Sequence, residues 1–180
     1  MDINKRVNEW LNSEKVSQKD KDIISFAVEG KDAKYTVENI NMSDKGSVFD
    51  VVAPDTRITV ETKLLGKHNI ANIVCAIAIA RELGMTNEEI RRGIRKIKPV
   101  EHRLELKNMG GILALDDAFN SNPAGSKAAI ETLLMFKDKY KVLVTPGMIE
   151  LGEKQYEFNM EFGRQIAKVC DEVILIGEEQ

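Results

Sequence analysis

The side chains best suited to chemistry crowd one short stretch, Asp116-Asp117-Ala118-Phe119-Asn120-Ser121-Asn122-Pro123, which holds two carboxylates and two carboxamides. The stretch follows the apolar run 111–115, which reads as a short buried strand. It precedes a helical pattern in which Asn122 is the N-cap and Pro123 the first helical residue. In an open parallel sheet the carboxyl ends of strands face the ligand crevice, so acids there can accept hydrogen bonds from ribose hydroxyls or hold a metal-bound water. Singly, Asp116, Asn120 and Asn122 are ordinary turn and capping residues. Four such groups in one strand-to-helix turn point to a ligand.

Three other places compete for attention. Gly66-Lys67 invites a test as a phosphate loop and fails it, because Glu61 stands where the motif needs a glycine and His68 where it needs Ser or Thr. What remains is Asn69 and Asn72, three apart at a helix start and so on nearly the same face. A carboxamide offers a donor and an acceptor side by side, the pattern that matches the N6 and N7 edge of adenine. Either residue taken alone reads as capping or surface, Asn69 as an N-cap and His68 as a solvent-facing neighbour. Arg103 falls just after a helix-breaking proline, Pro99, where its guanidinium could meet a phosphate with a bidentate fork. An ordinary ion pair with Glu101 or Glu105 at a hinge fits the same spacing equally well. Finally, 141–152 is a strand that runs into a glycine-bearing loop, which is also what a plain strand-to-helix turn looks like.

The elements that must position these groups fall in two runs. Val7, Trp10 and Leu11 give a weak helix over 2–12, and 13–21 is polar connection. Strands are expected at 23–28, 35–40, 48–52 and 57–64, with a turn at 29–32. In the last of them Ile58, Val60, Thr62 and Leu64 alternate with Arg57, Thr59, Glu61 and Lys63, as in an antiparallel hairpin with one wet face. The period changes at Gly66. Ile70, Ile73, Val74 and Ile77 predict a helix from near Asn69 to a left-handed cap at Gly84. Thr86-Asn87-Glu88-Glu89 is a capping box for a second helix, with Ile90, Ile94 and Ile97 inward and Arg91, Arg92 and Arg95 outward. Pro99 ends this pair, and the domain boundary is placed there. From Leu104 the order is strand, acidic turn, helix 123–136, strand 141–145, helix 153–170 and strand 173–176. These are two βαβ units that imply a parallel sheet.

Composition narrows the function. The chain has 180 residues, is 43% hydrophobic and carries a net charge of −3 with acids and bases interspersed, so a globular α/β protein is expected and neither nucleic acid nor a membrane surface is an expected partner. The polar start is unlike a signal peptide, which favours a cytoplasmic location. Cys75 and Cys170, far apart among apolar neighbours, are expected to be buried free thiols. No cysteine or histidine spacing suggests a metal site.

Taken in chain order, Gly66-x-His68-Asn69-x-x-Asn72 before an alanine-rich helix, His102-Arg103-Leu104-Glu105, the turn 116–123, and Gly147-Met148-x-Glu150-Leu151-Gly152 resemble the Mur ligase family. The turn and the last loop look most like the branch that adds D-alanyl-D-alanine to a UDP-MurNAc-peptide. The resemblance runs from about residue 23 to 177. It implies the end of a Mur ligase central ATPase domain, strands plus helices, over 1–99, followed by an incomplete Rossmann-like parallel-sheet C-terminal domain over 100–180. It also implies an ATP- and Mg2+-dependent amide ligase of peptidoglycan synthesis. In such an enzyme ATP phosphorylates a carboxylate, an amine attacks the acyl phosphate, and phosphate leaves.

By the same resemblance Asn69 and Asn72, with His68 beside them, match the adenine contacts, and Arg103 matches the arginine that reaches the triphosphate as the catalytic clamp. Asp117, with Asp116 beside it, matches the ribose acid, and Asn120 and Asn122 fall in the substrate-side turn. The family's phosphate loop, carbamylated lysine and magnesium-binding acids have no counterpart in these residues, so a fragment that does not hydrolyse ATP by itself is expected. Pro146-Gly147-Met148 stands where relatives often have Gly-Asp-Met, and Asn159 where they have His. A non-catalytic nucleotide-binding or partner-docking module, or a related folylpolyglutamate or poly-amino-acid ligase, are the alternatives.

Overall fold

The computed structural model describes residues 23–30, 32–119 and 121–177. The helix expected over 2–12, and Asn120, lie outside them. Its first sheet has the order β1 (Phe26–Ala27), β2 (Tyr35–Ser43), β3 (Gly46–Ala53), β4 (Thr56–Thr62), antiparallel except where β1 meets β2. The alternation read from β4 is realised, with Ile58, Val60 and Thr62 buried and Arg57, Thr59 and Glu61 exposed. On the wet face Arg57 bonds Asp50 at 3.0 Å and Glu38 at 2.7 Å, tying three strands by charge.

Helix α1 (Lys67–Glu82) lays Ile70, Ile73, Val74 and Ile77 on Tyr35, Phe49, Ile58 and Val60. Each fully buried side chain of this size is worth about 1.5–3 kcal/mol. α1 starts earlier than its apolar period suggested, at Lys67 with Gly66 as N-cap rather than near Asn69, and ends as expected with Gly84 at φ 82° and Met85 N–H donating to Ala80 O. Helix α2 (Asn87–Arg95) carries the complete capping box between Thr86 and Glu89, and Ile90 and Ile94 join the same core. Ile97 lies past its end and is exposed.

The remainder has a smaller core of Ile130, Met148, Phe162 and Ile166, packed by Leu143, Phe158 and Val169. Strands β7 (Val142–Thr145) and β8 (Glu172–Leu175) pair in parallel, with α4 (Gln155–Ile166) as the crossover after a 3-10 turn at Gly152–Lys154. α3 (Pro123–Leu133) packs on α4. The other expected βαβ pairing differs. Where one strand was expected before the acidic turn there are two, β5 (Glu105–Met109) and β6 (Ile112–Asp116), closed into an antiparallel hairpin. The cause is Gly110-Gly111, at φ 65° and 99°, which supplies the positive φ pair that a tight hairpin turn requires. β6 therefore pairs with β5, and among the described residues no ladder joins it to β7. Nor is β6 deeply buried, since Ile112 is exposed and its other residues are half-buried. Cys75 and Cys170 are free thiols, half-buried rather than buried.

The two parts meet at Gly66. Its backbone sits at φ 87°, ψ 143°, a region that side-chain-bearing residues avoid, and a Cβ there would lie 2.7 Å from Leu104 Cδ2 and 2.8 Å from His68 Cε1. Leu104 is buried against this spot. Gly66→Ala should therefore lower unfolding free energy by roughly 2–4 kcal/mol, from backbone strain plus overpacking. Urea unfolding of the variant measures it, and a loss below about 1 kcal/mol would mean that Leu104 moves away freely.

Candidate functional site

The site is built where the start of α1, the 102–104 segment and the end of β6 converge. Two residues of that segment have left-handed backbones, His102 at φ 60° and Leu104 at φ 50°. The acidic turn holds them. Asp117 Oδ1 accepts the Leu104 N–H at 3.0 Å, His102 O accepts the Phe119 N–H at 3.2 Å, and Asp116 Oδ2 lies 2.9 Å from His102 Nδ1. Asp116 also accepts from Lys107 Nζ at 2.7 Å and from the Ala118 N–H at 3.3 Å. Both acids thus act first on chain geometry, and Arg103 is carried between the two constrained residues.

Electrostatics separates the neighbouring carboxylates. The Lys107 ammonium, helped by His102 and the Ala118 N–H against a partial desolvation penalty, holds Asp116 down at about 2. Burial pushes Asp117 up, opposed by the Leu104 N–H and by the charges of His68 and Arg103. His68 is pushed down because packing around its imidazole outweighs the pull of Asp117. Adjacent groups driven in opposite directions are common at functional sites.

The guanidinium of Arg103 lies 3.9 Å over the ring of Phe119, and no side-chain hydrogen bond or ion pair joins it to another described residue. The pairing with Glu101 or Glu105 that its position allowed is not made, Glu105 being 3.1 Å from Lys107 instead. On α1, Asn69 is not the N-cap; Gly66 is, and Asn69 Nδ2 donates to Leu65 O at 2.7 Å. His68 lines an open cleft with Val28, Glu29, Lys67, Ala71 and Glu131, and Asn72, one turn along, is exposed. Asn122 caps α3, its Oδ1 accepting the Gly125 N–H at 2.9 Å with Pro123 at N1. The structure therefore brings His68, Arg103, Asp116 and Asp117 together, leaves Asn72 exposed on the next turn of α1, and gives Asn122 a capping duty. Among the described residues no three His, Cys, Asp or Glu side chains are grouped to hold a metal, and no helix is long and apolar enough to cross a membrane.

The loop after β7 is held by one side chain that its spacing did not single out for this task. Asn159 Oδ1 accepts the Met148 N–H and its Nδ2 donates to Met148 O, both at 2.8 Å, with a further bond to Gln155 O at 3.0 Å. A carboxamide matched edge to edge with a backbone unit fixes the loop while Gly147, Glu150 and Gly152 turn it through positive φ.

Two family models match this chain, the Mur ligase middle domain over residues 3–80 and the Mur ligase glutamate ligase domain over 102–180. The chain belongs to the Mur ligase family. It is 31% identical over 175 residues to the UDP-N-acetylmuramoyl-tripeptide--D-alanyl-D-alanine ligase of Escherichia coli, an alignment that takes in 96% of this chain and 38% of that enzyme. Its fold matches crystal structure I of MurF from Acinetobacter baumannii with a TM-score of 0.75 and 27% identity, over 86% of this chain and 34% of the other. It matches the MurF ligase of Thermotoga maritima in complex with ADP with a TM-score of 0.75 and 26% identity, over 87% and 36%. The chain thus spans little more than a third of the length of these Mur ligases. The α/β architecture expected from the resemblance, a middle-domain part followed by a part with a parallel sheet, is the one observed.

Two measurements test this geometry. A carboxylate whose folded pKa is depressed adds stability that is full above its unfolded pKa, about 4, and is lost as pH falls toward the folded value. Between about pH 4.5 and 2.5 the wild type should accordingly lose on the order of 1–2 kcal/mol more than Asp116→Asn in urea unfolding. Equal losses would show that Lys107 and His102 do not hold the carboxylate. Asn159→Ala should expose the Met148 amide to exchange and cost roughly 1–3 kcal/mol, since it leaves both Met148 groups unpaired. Unchanged protection of that amide would show that the loop holds itself.

Proposed function

We propose that this chain is the nucleotide-side portion of an ATP-dependent amide ligase of peptidoglycan precursor synthesis, one that adds D-alanyl-D-alanine to a UDP-MurNAc-peptide in the cytoplasm. The observation that carries it is the placement of the Arg103 edge, which no other described residue takes up, beside Asp117 and His68 at the head of α1. That placement suits an anionic ligand whose sugar meets an acid. It is supported by the name of the E. coli relative and by the ADP-bound state of the Thermotoga one.

In this reading residues 1–99 belong to the central ATP-binding domain and 100–180 to the C-terminal ligase domain. Arg103 presents its fork to the phosphates, where charge builds up as the γ-phosphoryl group passes to the substrate carboxylate and again as the amine displaces phosphate from the acyl phosphate. Asp117 spends one oxygen on the Leu104 N–H and keeps the other for a ribose hydroxyl. Asn69 and Asn72, beside His68, meet the adenine edge with the donors and acceptors left to them. Asn120 and Asn122 lie on the substrate side. Magnesium would shield the β- and γ-phosphate charge, and no ligand to it is assigned within this chain. Because the chain carries no phosphate-loop motif, it binds nucleotide without turning it over.

Calorimetric titration of the chain with ATP should show binding that Arg103→Ala weakens by about tenfold, the value of one charge-assisted contact. The gene product that contains this chain should release phosphate from ATP only when both a UDP-MurNAc-tripeptide and D-alanyl-D-alanine are supplied. Binding without any ligation by that product would favour a nucleotide-binding module, and indifference of ATP binding to Arg103 would remove the site itself.

A further inference from the structure

Phe119 is a large ring with 64% of its surface exposed, so its place in the chain is not explained by core packing. What it touches is Arg103. The guanidinium carbon sits 3.9 Å from the ring centroid, a distance at which a cation is attracted by the negative face of the ring. The backbones of the two residues are tied as well, through the Phe119 N–H to His102 O bond at 3.2 Å and the Arg103 N–H to Val100 O bond at 3.1 Å. A guanidinium stacked by its face keeps all five N–H donors at its rim, and here none is taken by another described residue. An arginine held through a carboxylate would instead have part of its fork occupied and its charge neutralised.

Building on the assignment of Arg103 to a nucleotide phosphate, we propose that Phe119 is its positioning residue. The ring parks the guanidinium by cation–π stacking, with the N–H rim aimed outward and ready for a phosphate, so that the fork is not frozen onto the oxyanion from a free rotor population. Phe119 itself need touch neither phosphate nor sugar. The left-handed residues on either side, His102 and Leu104, fix the backbone from which the side chain departs. The ring fixes its far end. A long side chain held at both ends has lost most of its rotamer freedom before ligand arrives, which lowers the entropic cost of each contact it makes.

The test is a double-mutant cycle on the 180-residue chain, with Phe119→Leu, Phe119→Tyr, Arg103→Ala and the Phe119→Leu, Arg103→Ala pair, titrated with ATP and with adenosine. Phe119→Leu should weaken ATP about two- to fivefold, the range of one exposed cation–π contact, and leave adenosine unchanged. Phe119→Tyr should bind ATP as the wild type does, and the double variant should bind it no worse than Arg103→Ala. The Arg103 Nε–H proton should be shifted upfield by the ring current in the wild type and in Phe119→Tyr, and return to an ordinary position in Phe119→Leu. Because both side chains are exposed, thermal melts of the four variants should coincide with that of the wild type, which separates the effect from misfolding. If Arg103→Ala weakens ATP but Phe119→Leu does not, or if their effects simply add, the positioning role is overturned while the phosphate site stands. If Arg103→Ala has no effect on ATP, the site assignment falls and the positioning role with it.

Discussion

The acidic turn's grip on the backbone at 102–104 is the constraint on which the rest depends. Leu104 has to enter the joint beside Gly66 and Arg103 has to leave it toward solvent, within two consecutive residues. An extended chain would turn these side chains to opposite faces but would also carry β5 onward in a straight line. The left-handed turns at His102 and Leu104 bend it instead, at about 1–3 kcal/mol apiece. That cost is offset by hydrogen bonds that the carboxylates of Asp116 and Asp117 accept, two of them charge-assisted and close to 3 Å. The acids are thus part of the scaffold before they are part of any site.

This double duty explains why two neighbouring aspartates behave differently. Asp116 faces an ammonium, an imidazole and a backbone donor and is fully ionised at neutral pH. Asp117 is half-buried beside Leu104 and carries its charge at a penalty, relieved in part by His68 and Arg103. The first anchors a hairpin, and the second sits in the joint, within reach of the charges of His68 and Arg103. Charge is thus concentrated beside the contact between Gly66 and Leu104.

Much of this was legible from residue types. Period changes placed α1 and α2, alternation placed the β3–β4 hairpin, and Thr86 with Glu89 declared a helix start that needs no tertiary contact. The grouping of His68, Arg103, Asp116 and Asp117 was expected only through the resemblance to the Mur ligases, since spacing alone left an ordinary ion pair for Arg103 equally open. What escaped depends on backbone conformation or on partners distant in sequence. Gly110-Gly111 folds an apparent single strand into a hairpin, a local signal that was present in the glycine pair. The positive φ of His102 and Leu104 leaves no mark on residue choice, since neither is a glycine. Asn69 looked like a cap because the helical period begins there, yet the preceding glycine takes that place and frees its carboxamide to reach back to Leu65. The Asn159 brace on Met148 joins a helix to a loop, and no spacing rule links them.

The close approach of Gly66 to Leu104 and His68 has a consequence for how such a sequence drifts. A methyl group at 66 is excluded by the leucine at 104, and a smaller residue at 104 would leave a void against the helix start. The two positions, one in each part of the chain, therefore form a single unit of variation. In an alignment of close relatives they should change together or not at all, and a gene fusion that exchanges one part without the other would inherit a mismatch at this point before any other.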